Sequence, residues 1–275
     1  MLAQEFIRNA LLAGSFVAIA CGLVGYFMVL RSQVFAGDAL SHVSFTGALA
    51  AAAAGLDLRF GLFAATAAIA LLLALLGRRA HADDVTIGTI FAWVLGMGAL
   101  FLDLFNSGSA GGSGITGSRA LFGSIFGLSA GAAQLAAVVG VVIVLATLLI
   151  ARPLLFASID PIVAAARGVP VRALGTVFLL LIGLDAAEAT QAVGALLLLG
   201  LLAAPAGAAH RLTASPYLGL ALSGLLALLS MWVGIALSYQ IPSLPPGSAI
   251  IAVASGLYLL AFIGTSRASR RLFGS

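Results

Sequence analysis

Long apolar runs, separated by short polar or glycine-rich connections, dominate the chain. Leu11–Leu30 is the clearest. Asp38–Gly55 opens on polar residues and continues in small ones, and Phe60–Gly77, Ile87–Leu104 and Ala130–Ala151 follow. Arg172–Leu184 extends less cleanly to Thr190, and Ala192–Ala209, Tyr217–Tyr239 and Ser248–Gly264 complete the series. A helix that crosses a bilayer needs about 20 mostly apolar residues. The pattern therefore predicts about nine crossings, or about eight if the segment at Asp38 or the stretch around Asp185 does not fully cross. Runs this long exclude barrel strands, which alternate in polarity. The expected fold is all-α: a polytopic helical membrane protein forming one transmembrane domain over residues 1–275, with no connection long enough to hold a second, soluble domain.

Composition sharpens this reading. Only 8% of the 275 residues are charged, against roughly 25% in soluble domains. Hydrophobic residues make up 62%, which excludes a disordered chain. The single cysteine, Cys21, excludes a disulfide scaffold and is expected to be a buried helix residue. The first apolar run is too long for a signal peptide and is followed by Arg31.

All 13 basic residues are arginine, and lysine is absent. A Walker A loop needs its lysine at the terminal phosphates, as do kinases and Schiff-base enzymes at their own sites. If ATP drives this chain, another subunit hydrolyses it. The net charge of +4 says little about nucleic acid, because arginines in a membrane protein report topology first. Placing Arg78–Asp84 in the cytoplasm puts Arg31, Arg78, Arg79, Arg152, Arg167, Arg172, Arg211, Arg267, Arg270 and Arg271 there, and leaves Arg8, Arg59 and Arg119 outside. With nine crossings the N-terminus is outside and the C-terminus cytoplasmic. Asn106–Gly117 is then an outer loop, and Arg119–Leu128 is a candidate interfacial helix.

Three segments carry candidate chemistry. In Ala157–Arg172, Asp160 is a natural N-cap, Pro161 fits the first helical position, Gly168 fits a left-handed stop and Pro170 prevents continuation. This predicts a short cytoplasmic helix over Ile162–Arg167, either an ordinary structured loop or a protrusion that docks into a partner. In Gly37–His42, Asp38 and His42 are four apart and share a helix face. A carboxylate and an imidazole there suit a divalent metal; the plainer roles are an N-cap for Asp38 and an interhelical hydrogen bond for His42. Two ligands do not complete a site, but a symmetric dimer would supply two of each. Asp185 and Glu188, followed by Gln191, are secondary metal candidates that could attract cations at the outer mouth; more plainly, they mark where a helix leaves the lipid. Asp103 and His210 have the same plain reading, and His81 with Asp83 and Asp84 reads as a solvated loop. There are no catalytic candidates, and the chain has no His-Glu-x-x-His zinc helix.

These segments, in this order, resemble the membrane permeases of ABC importers for zinc and manganese. The resemblance rests on LLAGSFVAIACGLVGYFMVLR (Leu11–Arg31), GDALSH (Gly37–His42), DDVTIGTIF (Asp83–Phe91), LFGSIFG (Leu121–Gly127), DPIVAAARGVPV (Asp160–Val171) and QAVGALLLLGLLAAPAGAA (Gln191–Ala209). It implies a homodimeric permease in the cell membrane, two cytoplasmic ATP-binding subunits and an extracytoplasmic metal-binding protein. It also implies a coupling helix (Asp160, Ile162, Arg167 and Gly168) and metal-pathway ligands at Asp38 and His42. The transported ion would be zinc, the favoured reading, or manganese, with no permanently bound cofactor and no nucleic-acid partner. One departure stands out: the segment before Gln191 is usually apolar in such permeases, and here it carries Asp185 and Glu188. The alternative function is an ATP-independent secondary metal transporter, and the third class an intramembrane hydrolase.

Overall fold

The computed structural model describes residues 4–77, 84–108, 123–241 and 243–273. Among them there is no strand. The helices are α1 (Glu5–Leu30), α2 (Val34–Ala53), α3 (Leu58–Leu76), α4 (Asp84–Gly108), α5 (Ala130–Ile159), α6 (Pro161–Ala166), α7 (Val171–Val193), α8 (Leu198–Leu212), α9 (Pro216–Gln240) and α10 (Pro246–Phe273), with a single 3-10 turn, η1, at Ile125–Gly127. Seven of them (α1, α3, α4, α5, α7, α9 and α10) are long and apolar enough to cross a membrane. α2 has the length, but Asp38 and His42 dilute its hydropathy. α8 has 15 residues, about 22 Å at helical rise, short of the hydrocarbon thickness. The chain is a polytopic helical membrane protein.

Helix α1 is the hub, packed against α5, α7, α8 and α9. A second group, α2 with α3 and α4, touches α1 only slightly. Helix α7 joins the two, lying against α1 and α5 on one side and α2 and α3 on the other. Small residues make these contacts close: a Cβ on Gly22 of α1 would lie 2.7 Å from the Gly224 Cα of α9, the kind of approach that packs helices where lipid offers no hydrophobic drive. Large apolar side chains face outward instead, among them Trp93, Leu149 and Leu260, as expected where the surrounding solvent is hydrocarbon.

Contacts at both ends show that α1 and α5 run the same way. Near their starts the Asn9 amide donates to the Leu128 carbonyl at 3.4 Å, and Phe6 meets Phe126 edge to face. At their ends the Arg31 guanidinium donates to the Ser158 hydroxyl at 3.2 Å. This parallel course agrees with the alternation read from the arginines.

Boundaries differ from the apolar runs. Polar first turns extend α1 back to Glu5, and α5 continues past the expected Ala151, through Pro153, to Ile159. The expected division between Thr190 and Ala192 lies instead at Gly194, whose φ of +94° ends α7 before α8 begins at Leu198. The candidate interfacial helix falls partly outside the described residues. Its described part is η1, and Ile125 there is fully buried, so this turn dips into the bundle instead of lying on its surface.

Candidate functional site: two polar pairs and a cytoplasmic helix

Helix α2 begins at Val34, four residues before Asp38, and its N-cap position is Gln33 with no side-chain capping bond. Asp38 therefore sits in the second turn, and the capping role considered for it is excluded. The plain role for His42 also fails, because neither its ring nor the Asp38 carboxylate takes a side-chain hydrogen bond among the described residues. Both are half-buried on one stripe of α2. The His42 ring lies 5.1 Å from the Phe91 ring of α4, which fixes its position without using its nitrogens. The result is an oxygen donor and a nitrogen donor free to take a ligand. Among the described residues no group of three or more His, Cys, Asp or Glu could hold a metal ion.

Between them on the sequence, Ser41 is fully buried. Its hydroxyl lies 2.7 Å from the Asp38 carbonyl and 3.2 Å from the carbonyl of Ala195. Ala195 follows the Gly194 break, so Ser41 ties the turn carrying Asp38 to the junction of α7 and α8. Sequence reasoning passed over Ser41; its only signal was its place inside Gly37–His42.

Asp185 and Glu188 do not mark a helix leaving the lipid. Helix α7 continues to Val193, and the two side chains are 1% and 2% exposed. The Cys21 thiol of α1 donates to Asp185 Oδ1 at 3.7 Å; Asp185 Oδ2, Glu188 Oε2 and Gln191 Nε2 are buried without a partner. These carboxyls belong to the bundle interior, and among the described residues they form no metal cluster with Asp38 and His42. At the end of α8, His210 stacks on Tyr26 with ring centroids 4.2 Å apart, and its Nε2 lies 3.1 Å from the Tyr26 carbonyl oxygen. That is a packing role. His81 and Asp83 lie outside the described residues, and Asp84 opens α4.

The short helix forms as its punctuation predicts. Asp160 Oδ1 accepts from the backbone N–H groups of Ile162 (3.0 Å) and Val163 (2.9 Å). Pro161 occupies the first turn, and Gly168 takes a φ of +83°. The helix lies one residue earlier than expected, over Pro161–Ala166, with Arg167 at its C-cap. Ile162 is 70% exposed, beside a groove of about 630 Å³ lined by Pro161, Ile162, Ala165, Pro170, Val171 and Arg172 among others. The short helix thus presents an exposed apolar side chain beside a groove.

A family model, the ABC 3 transport family, matches residues 3–265. The chain belongs to that family. It is thus the membrane component of an ABC transporter, a multi-pass plasma-membrane protein and not an enzyme. It is 29% identical over 265 residues to a manganese transport system membrane protein, MntC, of Halalkalibacterium halodurans, covering 95% of this chain and 88% of that one. It is 28% identical to the manganese import system permease protein ScaB of Streptococcus parasanguinis, covering 94% and 90%. Among solved structures, PsaBC from Streptococcus pneumoniae in complex with Fab superposes with a TM-score of 0.81 at 26% identity, over 94% of this chain and 91% of that chain.

Proposed function

We propose that this chain, as a single permease domain over residues 1–275, imports a divalent metal ion along a path lined by Asp38 and His42. The observation that carries the reading is the free carboxylate and imidazole, one helical turn apart on a half-exposed face of α2, in a chain of an ABC transport family. A hard oxygen and a borderline nitrogen suit first-row divalent ions, and affinity alone does not choose among them. The names of the relatives support manganese over the zinc favoured from the sequence. The site is weak by design, because the ion must leave as well as enter, and acid weakens it further because the imidazole binds metal only when neutral.

Two chains related by a two-fold axis would contribute two carboxylates and two imidazoles, completing the shell that one chain leaves partial. An extracytoplasmic metal-binding protein delivers the ion, and a separate ATP-binding subunit supplies the energy, since this chain has no lysine for a phosphate loop. That subunit seats the α6 helix through Ile162 and the adjoining groove. Movement of α6 passes along α7, which begins five residues after α6 ends, to the Gly194 break, and through Ala195 and Ser41 to the turn that holds Asp38.

Reconstitution tests this. The chain alone in liposomes should pass no manganese or zinc under an ion or proton gradient. With its ATP-binding subunit and binding protein it should take up metal only with ATP. Gradient-driven uptake by the chain alone would sink the ABC reading and favour a secondary transporter.

A further inference from the structure

The interior pair on α7 is not needed for the path described above, yet it sits where ionisable groups are costly and mark proton or ion pathways. Asp185 and Glu188 are three residues apart on one helix face, within electrostatic reach of each other and almost completely buried. A carboxylate with a bare oxygen in such a place would be an uncompensated charge in a low dielectric. The surroundings supply only weak compensation. Helix α1 offers only the Cys21 thiol, a weak donor, to Asp185 Oδ1. Helix α3 offers Arg59 near its outer end; its charge is felt at Glu188 without an ion-pair contact among the described residues. On the other helices packed against α7, the titratable side chains described are Asp38 and His42 of α2, Arg152 of α5, His210 and Arg211 of α8, and Tyr258 of α10. None of these meets the pair among the described residues, and no third metal ligand joins it.

We propose that Asp185 and Glu188 form a proton-binding site inside the bundle, each carboxyl holding one proton in this conformation. A carboxylic acid needs no counter-charge and can itself donate a hydrogen bond, so Asp185 Oδ2 and Glu188 Oε2 are the atoms that carry the protons. Gln191, three residues further along the same face and with its Nε2 buried, offers a carbonyl acceptor to a protonated Glu188 after a small side-chain rotation. The pair lies on α7, the helix between α6 and the Gly194 break. When transport rearranges α7 and admits water, each O–H bond breaks, its electron pair stays on the carboxylate oxygen and the proton passes to water. Closure takes both protons back. The ligand is the proton, and the metal path remains with Asp38 and His42.

Infrared spectroscopy of the full-length chain in lipid nanodiscs tests the site without any partner, so its result is independent of the transport reading. At neutral pH the exposed acids are ionised, and the wild-type spectrum should show the carbonyl stretch of buried carboxylic acids. Asp185→Asn and Glu188→Gln should each remove about half of that band while preserving size-exclusion behaviour. A wild-type spectrum with no carboxylic-acid band overturns the proposal even if neither variant folds. So does a band that survives both substitutions. Manganese added alone is the remaining arm: it should leave the band unchanged, and its disappearance together with stoichiometric metal binding would make the pair a cation site instead.

Discussion

The α2 pair and the α7 pair contain similar chemistry in opposite settings. Asp38 and His42 are half-buried and make no side-chain hydrogen bond among the described residues, and His42 packs against Phe91. Asp185 and Glu188 are sealed in the bundle interior, and among the described residues the side-chain donor to the first is a thiol. A transported ion needs ligands it can reach and leave, which the first pair offers and the second does not. A polar residue in a membrane helix is therefore assigned by its access and its partners, not by its type.

The strongest way to break this comparison is to place the same cation at both positions. Asp185→Arg forces a large permanent charge into a site that is 1% exposed, at a cost of about 3 kcal/mol or more. That predicts roughly a 100-fold loss of folded protein in detergent, read by fluorescence-detected size exclusion. Asp38→Arg, on a half-exposed face, should leave folded yield within about two-fold and still eliminate metal uptake. Equal yields for the two would erase the distinction.

Next in size is Gly168→Val, at the far end of the proposed coupling path to the α2 pair. Gly168 has open space around it but a φ of +83°, so a β-branched residue strains the backbone without a clash, by about 1–2 kcal/mol. The bundle should insert and assemble normally, while stimulation of the ATP-binding subunit's hydrolysis is lost. Normal stimulation would reduce α6 to a loop. Ser41→Ala should have the smallest effect. Losing its bond to Ala195 costs about 1 kcal/mol and should lower the metal transported per ATP several-fold at unchanged ATPase rate. An unchanged ratio would show that the link is only packing.

Much of this was legible in the sequence for local reasons. Apolar runs report helices because a bilayer leaves the backbone no other way to satisfy its hydrogen bonds. Asp160, Pro161 and Gly168 report α6 because caps and stops act within a few residues. Asp38 and His42 were visible through their four-residue spacing, although the start of α2 was misplaced by four residues because Val34–Gly37 carries no capping signal. The Gly194 break was hidden in apolar sequence on both sides. The burial of Asp185 and its contact with Cys21, 164 positions away, depend on how α7 wedges between the two helix groups, which periodicity along one segment does not contain.

The central claim is that Asp38 and His42 line the metal path. Its most direct test is ATP-driven manganese and zinc uptake into liposomes by the assembled complex carrying Asp38→Asn or His42→Ala, normalised to the amount of complex. Asp38→Asn keeps the shape and removes the charge, and His42→Ala removes the imidazole. Asp38 caps nothing and His42 makes no side-chain hydrogen bond among the described residues, so neither change should cost assembly. Each should reduce uptake per complex at least about ten-fold, the loss expected when an interaction worth about 1.4 kcal/mol or more is removed. Wild-type uptake per complex in both variants would contradict the assignment.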